Sequence, residues 1–261
     1  IATKNSSGEI IDCSGNVVTD SSIQVGDILD VNGSTVMDSN NEIKKTAQSF
    51  WSSEVDREYT DLGGVGEVLL NRTSSRNIYT YLGTNVDLTD STNAFATSNA
   101  TITPARLGVA ASERDNVINF IYGYDAYYQN ELDPKGPTAK RDWILGAFIH
   151  SRPVVIHYAD RTAIYAGAND GMLHAFDDQT GEELWAFIPQ NLLFNLKSLN
   201  GEALQFFVDA PPKAYIERDI SNNIILAILN LWREKRRKSI YRFGRYDSPL
   251  YPNFYFDFRF V

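Results

Sequence analysis

Between Gly167 and Phe187 the chain reads GANDGMLHAFDDQTGEELWAF, and this stretch limits the fold more than any other. Asn169-Asp170-Gly171 offers two side chains that tolerate positive φ and a glycine that adopts it freely, the composition of a tight hairpin. Met172 to Phe176 then alternates, with Met172, His174 and Phe176 on one face and Leu173 and Ala175 on the other. Asp177 to Gly181 turns the chain again, and Glu183 to Phe187 supplies a further strand. Hairpins in immediate succession make a β-meander, the unit from which propeller blades are built.

Composition narrows the class. The 261 residues, 43% hydrophobic and 22% charged, suffice for one or two domains with a proper core. A net charge of −9 argues against nucleic-acid binding, which needs a basic face. The single cysteine, Cys13, excludes an internal disulfide and any cysteine-rich metal site. No apolar run approaches the length of a membrane span. The chain opens at Ile1 without a charged and apolar leader, so it reads as a fragment if its parent is exported.

The spacing inside the meander is more specific than a generic hairpin pair. Ala175-x-Asp177-x-x-Thr180-Gly181-x-x-x-Trp185 resembles the tryptophan-docking motif of quinoprotein-like β-propellers. There Asp177 and Thr180 would bond turn backbone, Gly181 would permit the corner, and Trp185 would fill the wedge between blades. The plain alternative is an ordinary hairpin of another β protein. The flanks, KRDWILGAFIHSRPVVIHY (Lys140 to Tyr158) and IPQNLLFNLKSL (Ile188 to Leu199), widen the likeness. In this order the segments look like the start of the propeller domain in the PilY/PilC family. Those are type IV pilus assembly and tip-associated adhesin proteins of Gram-negative bacteria. NIYTYLG (Asn77 to Gly83) and ERDNVINFIYGYD (Glu113 to Asp125) resemble the lead-in to that domain. The similarity runs from Trp51 to Asn223 and is densest from Trp143 to Leu193.

The expected fold is therefore mainly β, an incomplete quinoprotein-like propeller preceded by a mixed α/β lead-in. Residues 1–45, rich in Ser, Asn, Asp and Gly, read as small strands and turns. The lead-in covers 46–145. A helical period spans Glu42 to Val55, with Ile43, Ala47, Phe50 and Trp51 sharing a face. Asp61 to Gly83 reads as glycine-punctuated β segments, with Val68-Leu69-Leu70 and Ile78 to Leu82 apolar. A second helix has Ser112 as cap, Asp115 in the reciprocal capping position, a stripe of Val117, Ile118 and Ile121, and Gly123 as its stop. From Gly146 the pattern turns to strands, and 146–223 reads as the start of the propeller.

Residues 224–261 differ in kind. They hold 8 Lys or Arg against 3 Asp or Glu, a charge of +5, where 1–223 hold 16 against 30, a charge of −14. Ten of the 38 are aromatic, and Asn253 to Phe260 shows neither strand alternation nor a glycine turn on this reading. A basic aromatic tail for a membrane or nucleic acid is one interpretation. The other comes from the genetic code: codons for Arg242 to Asp247, read one base later, permit Ala-Leu-Asp-Val-Thr-Thr, and Ser239-Ile240-Tyr241 would continue as a second propeller repeat. The tail is thus read as a frame error near Tyr241.

Chemical sites are sparse. His150-Ser151 with Asp142 could suggest nucleophilic catalysis but simply leads into a strand before Pro153. His174 reads as a packed blade residue. Asp30-x-Asn32 lacks the EF-hand glycine and glutamate, having Thr35 and Asn41 at those offsets. Asp125, Asn130 and Asp133 supply oxygens in no recognised spacing. Arg72, Arg76, Arg141 and Arg152 read as surface pairs with the abundant carboxylates. No catalytic, cofactor-binding or metal residue is assigned; the residues singled out are the blade motif Asn169, Asp170, Gly171, Ala175, Asp177, Thr180, Gly181 and Trp185.

The resemblance implies a non-enzymatic part in pilus biogenesis or surface adhesion. Its partners would be pilins, minor pilins, or a host or abiotic surface, and its location the periplasm, outer membrane or pilus. A calcium site belongs to the family, farther along the propeller. The alternative is a fragment of a pyrroloquinoline-quinone dehydrogenase, which shares the docking motif but needs, in many cases, adjacent cysteines that a lone Cys13 cannot supply. A surface-binding propeller without a pilus role is a third reading.

Overall fold

A computed structural model describes residues 1–12, 14–56, 62–83, 85, 87–127, 137–201, 207–208 and 211–218, with the backbone of 224–230, 239–245 and 254–260. The chain divides into two compact units, Ile1–Arg72 and Thr73–Val261.

The first unit is built from one turn used repeatedly. Asn5, Asp12, Asp30 and Asp38 each accept two backbone N–H groups on Oδ1, from the residues two and four places on, at 2.8–3.0 Å. The fourth residue of each turn has positive φ: Gly8 (83°), Gly15 (83°), Gly33 (78°) and Asn41 (65°). This is the three-residue hairpin with a left-handed bulge position. It pairs β1 (Thr3–Lys4) with β2 (Ile10–Ile11) and closes the bridges Ile11 to Val17, Leu29 to Thr35 and Met37 to Ile43. The sequence beneath is a degenerate repeat, Asn/Asp-x-Ser/Asn-Gly/Asn, which the composition-based reading of 1–45 as strands and turns did not resolve. Ala2, Ile23 and Leu29 form a small buried cluster.

Two expectations fail in this unit. The helix over Glu42 to Val55 does not form. Asp38 caps a turn with the N–H of Glu42, Ile43 is 45% exposed, and Trp51 sits at φ 65°, so backbone turn chemistry overrides the apolar period. Conversely, Val68-Leu69-Leu70 lies in a helix, α1 (Gly64–Asn71), which buries Leu69, rather than in a strand. Gly63 precedes it at φ 76°, where a Cβ would come within 2.0 Å of the Asp56 carboxylate.

The second unit centres on one five-stranded sheet of order β3-β7-β6-β5-β4. Its strands are β3 (Ile78–Tyr79), β4 (Val154–His157), β5 (Thr162–Gly167), β6 (Leu173–Asp177) and β7 (Glu183–Phe187). The last four form an antiparallel meander, and β3 joins in parallel at the β7 edge, Ile78 opposite Ala186. Both faces of the sheet bury apolar side chains from β5 to β7, while at the β4 edge Val155 is 46% exposed. One face carries Ile156, Tyr165, Leu173, Ala175, Trp185 and Phe187; the other packs Met172 and Ala186 against helical residues. Strand β4 starts at Val154, eight residues after the expected onset at Gly146.

Helix α2 (Pro104–Leu107) is capped by Thr103 and stopped by Gly108, and α3 (Arg114–Tyr122) buries Val117, Ile118, Phe120 and Ile121. Gly123 ends α3 in the left-handed region, as expected, but Ser112 is not its cap: it lies inside a 3-10 turn, Ala111–Glu113, that leads into the helix. Two further antiparallel pairs follow, β8 (Lys213–Arg218) with β9 (Ile224–Asn230) and β10 (Ser239–Arg245) with β11 (Phe254–Phe260). The backbone of Phe254–Phe260 is thus a strand. Phenylalanine at every second position there is itself a period of two, which the reading of the tail overlooked.

Candidate functional site

The blade motif folds as two successive hairpin turns. In the first, Asn169 donates its backbone N–H to Ala147, Gly171 (φ 92°) donates to Ala168, and Ala168 donates to Met172. The Asp170 carboxylate does more than cap this turn. It accepts the N–H of Met172 at 3.2 Å and of Gly146 at 3.0 Å, and both its oxygens lie 3.1 Å from His174 Nε2. In the second turn, Asp177 Oδ1 accepts the N–H groups of Gln179 (3.0 Å) and Thr180 (3.1 Å). Thr180 Oγ1 accepts from Glu182 N, and Gly181 donates back to Asp177 at φ 69°. Ala175 pairs across the sheet with Trp185, whose ring centroid lies 5.8 Å from that of Tyr165.

From this turn a chain of alternating charge runs through the sheet: Asp170, His174, Glu183, Arg76. His174 Nδ1 lies 2.8 Å from Glu183 Oε1, and Glu183 takes a two-pronged grip from Arg76, Nε to Oε2 at 2.8 Å and Nη2 to Oε1 at 2.7 Å. Arg76 Nη1 donates to the carbonyl of Ile121 at the end of α3 (2.9 Å). The side chains of His174 and Glu183 are fully buried, and that of Arg76 nearly so. Arg76 therefore corrects the surface-pair reading; it precedes β3 and ties that strand to β6, β7 and α3. Arg141 is not an exposed ion pair either. Its guanidinium lies 3.9 Å from the centre of the Phe120 ring and donates to the Phe120 carbonyl at 3.1 Å. Arg152 is exposed, and Arg72 half-buried.

The protonation states follow from the pairing. Burial alone would discharge His174, but Asp170 and Glu183 outweigh it and hold its pKa up at about 9, so both ring nitrogens donate at neutral pH. Burial opposes the charge on Glu183, yet Arg76 and His174 keep its carboxyl well below the usual range. Asp170 is likewise lowered, burial being overcome by His174. Arg141, by contrast, is pushed down to about 10 by burial. With His174 and Glu183 fully buried and each held between two charged partners, the network ties β3, β6, β7 and the end of α3 together. Only the spacing of His174 on its strand hinted at it; Arg76 and Glu183 lie 107 residues apart in sequence and carried no local signal.

Ser151 is buried and accepts Gly167 N–H on Oγ (2.9 Å), while His150 is exposed. Asp30 is taken up by its own turn. Asp125 is buried; Asn130 and Asp133, like Cys13, lie outside the described residues. Among the described residues no group of three or more His, Cys, Asp or Glu could hold a metal ion, and no helix is long and apolar enough to cross a membrane.

Comparison with known proteins points one way. The chain is 35% identical over 103 residues to the type IV pilus biogenesis factor PilY1 of Pseudomonas aeruginosa strain UCBPP-PA14, covering 28% of this chain and 9% of that protein. Over 54 residues it is 48% identical to the factor of the same name from strain PAO1, covering 19% and 5%. A PilY1 homolog of Xylella fastidiosa is 46% identical over 48 residues, covering 18% and 4%. These matches support the PilY1 family. The chain spans less than a tenth of the length of these relatives. No family model matches, and no solved structure does.

Proposed function

We propose that the chain is part of a PilY/PilC-type protein that acts without covalent chemistry in type IV pilus biogenesis and adhesion. In this reading the meander β4 to β7 is one blade of a quinoprotein-like propeller. The blade presents its turns to pilins, minor pilins or a surface, outside the cell or in the periplasm. The observation that carries the role is the likeness to pilus biogenesis factors. The meander topology and the turn bonds of Asp177 and Thr180 support the blade. Calcium would enter through residues other than those described.

Deleting the coding sequence in the organism that carries it and counting surface pili by electron microscopy tests the role. Loss of pili, restored by the gene in trans, is the expected result; normal piliation and twitching would refute it. The quinoprotein-dehydrogenase reading rests on the shared docking motif, and alcohol- or sugar-dependent dye reduction with added quinone and calcium would establish it instead.

A further inference from the structure

A cavity of about 350 Å³ opens in the second unit beside the buried charge chain. Its walls are largely apolar: Phe120 from α3, Trp143 and Ile144 from the segment before the meander, Met172 from β6's turn, and Leu199. That size is at the small end of ligand sites, room for one ring-sized body.

Three polar residues share the wall, and they differ sharply in how well they are satisfied. Asp170 has both oxygens engaged by His174, Gly146 and Met172, so it has little left to offer a cation. Asn169 is 94% buried, and neither its amide nitrogen nor its amide oxygen has a partner, although its backbone is pinned by Ala147. Arg141 is held by backbone pairing with Gly123, by the Phe120 ring and by an Nη2 bond to the Phe120 carbonyl, and Asp170 and Asp125 lie near enough to attract its charge; its buried Nε–H has no hydrogen-bond partner. Buried amides and guanidinium N–H groups without partners are rare, because desolvation is then uncompensated. A guanidinium and a primary amide lining one cavity are the donor set for a planar carboxylate, and rings in the same lining suit an aromatic body.

We propose that this cavity binds a carboxylate carried on an aromatic or apolar body, with Arg141 and Asn169 as its donors and Trp143 and Phe120 against the ring. The shared chemistry fits a free aryl carboxylate and the C-terminal residue of a peptide alike.

Saturation-transfer NMR and calorimetry on the 261-residue chain test this with N-acetylphenylalanine, its carboxamide, and phenethylamine. The carboxylate is expected to bind, the amide about tenfold more weakly, and the amine not at all, since one charge-assisted hydrogen bond is worth about that factor. Arg141→Gln and Asn169→Ala should each weaken binding about tenfold or more. Trp143→Phe, which keeps a ring in place, should still bind; it guards against variants that fail to fold, checked by circular dichroism. Gly-Gly-Phe against benzoate and phenylacetate separates the two sources: peptide alone indicates capture of a chain end, small acids alone a metabolite site. Equal binding of amine and carboxylate, binding unchanged in both folded donor variants, or no binding of any carboxylate would overturn the proposal.

Discussion

In the first unit Asn5, Asp12, Asp30 and Asp38 each commit one oxygen to N–H groups no more than four residues away; in the second, Glu183 commits its oxygens to other side chains, and Asp170 divides its own between turn backbone and His174. One partner of Glu183, Arg76, lies 107 residues off. The first arrangement is cheap in chain entropy and repeats wherever the short motif recurs, but it is mostly solvent-exposed, and each bond adds about 0.5–1.5 kcal/mol. The second is buried with every charge answered, so it tolerates no missing member. Many small independent contributions hold Ile1–Arg72; one indivisible network within two apolar clusters holds the sheet of Thr73–Val261.

The largest test of that contrast is Glu183→Ala. It leaves Arg76 and His174 buried with no carboxylate between them, and the loss should reach about 5 kcal/mol, the upper end for breaking a buried pair from one side. Hydrogen exchange would show amides of β6 and β7 losing protection while those of Ser14 and Ser34 do not change. A loss of under about 1 kcal/mol in the free energy of urea unfolding would mean that the network is solvated.

Next comes Trp185→Ala, expected to cost about 3 kcal/mol because it empties the face that Tyr165 and Ile156 share. Asp12→Ala, removing one exposed turn cap, should cost only about 1 kcal/mol. Equal midpoint shifts for the two would erase the distinction between the units.

The meander was legible because its signals are local: Asn-Asp-Gly, the alternation from Met172 to Phe176, and Asp-x-x-Thr-Gly each act within a few residues. Gly123 as a helix stop was legible for the same reason. The helix misplaced onto Glu42 to Val55 shows the opposite hazard. An apolar period can be read where backbone bonds to Asp38 already dictate a turn. The turn repeat in residues 1–45 was visible letter by letter, but composition blurred it. Arg76 looked like any basic surface residue, since nothing near it in sequence announces a buried carboxylate partner on a distant strand.

The dependence on pH should separate the units as well. His174 has a folded pKa of about 9 against an unfolded value of 6.5. Its contribution is therefore complete below pH 6.5 and is lost as pH rises through about 9. Glu183 and Asp170 are lowered, so theirs is present above about pH 4.5 and fades as pH falls. The urea midpoint of the second unit should fall between pH 7 and 9.5, and His174→Gln should flatten that alkaline limb while lowering the whole curve. An unchanged alkaline slope would show His174 to be neutral in the fold.

The smallest expected effect lies in the turn repeat. Three of its four left-handed positions are glycine; the fourth is Asn41, at φ 65°. Asparagine tolerates this region better than other side chains but still meets the Cβ penalty that glycine avoids, and nothing crowds the glycines at 8, 15 and 33. Asn41→Gly should therefore stabilise the first unit by a few tenths of a kcal/mol, and Gly33→Ala should destabilise it by about 1 kcal/mol through backbone strain alone. Both changes should leave protection in β5 to β7 untouched. If Asn41→Gly instead destabilised by as much as Gly33→Ala, the four turns would not be equivalent, and the first unit would depend on side-chain contacts that a repeating backbone turn does not require.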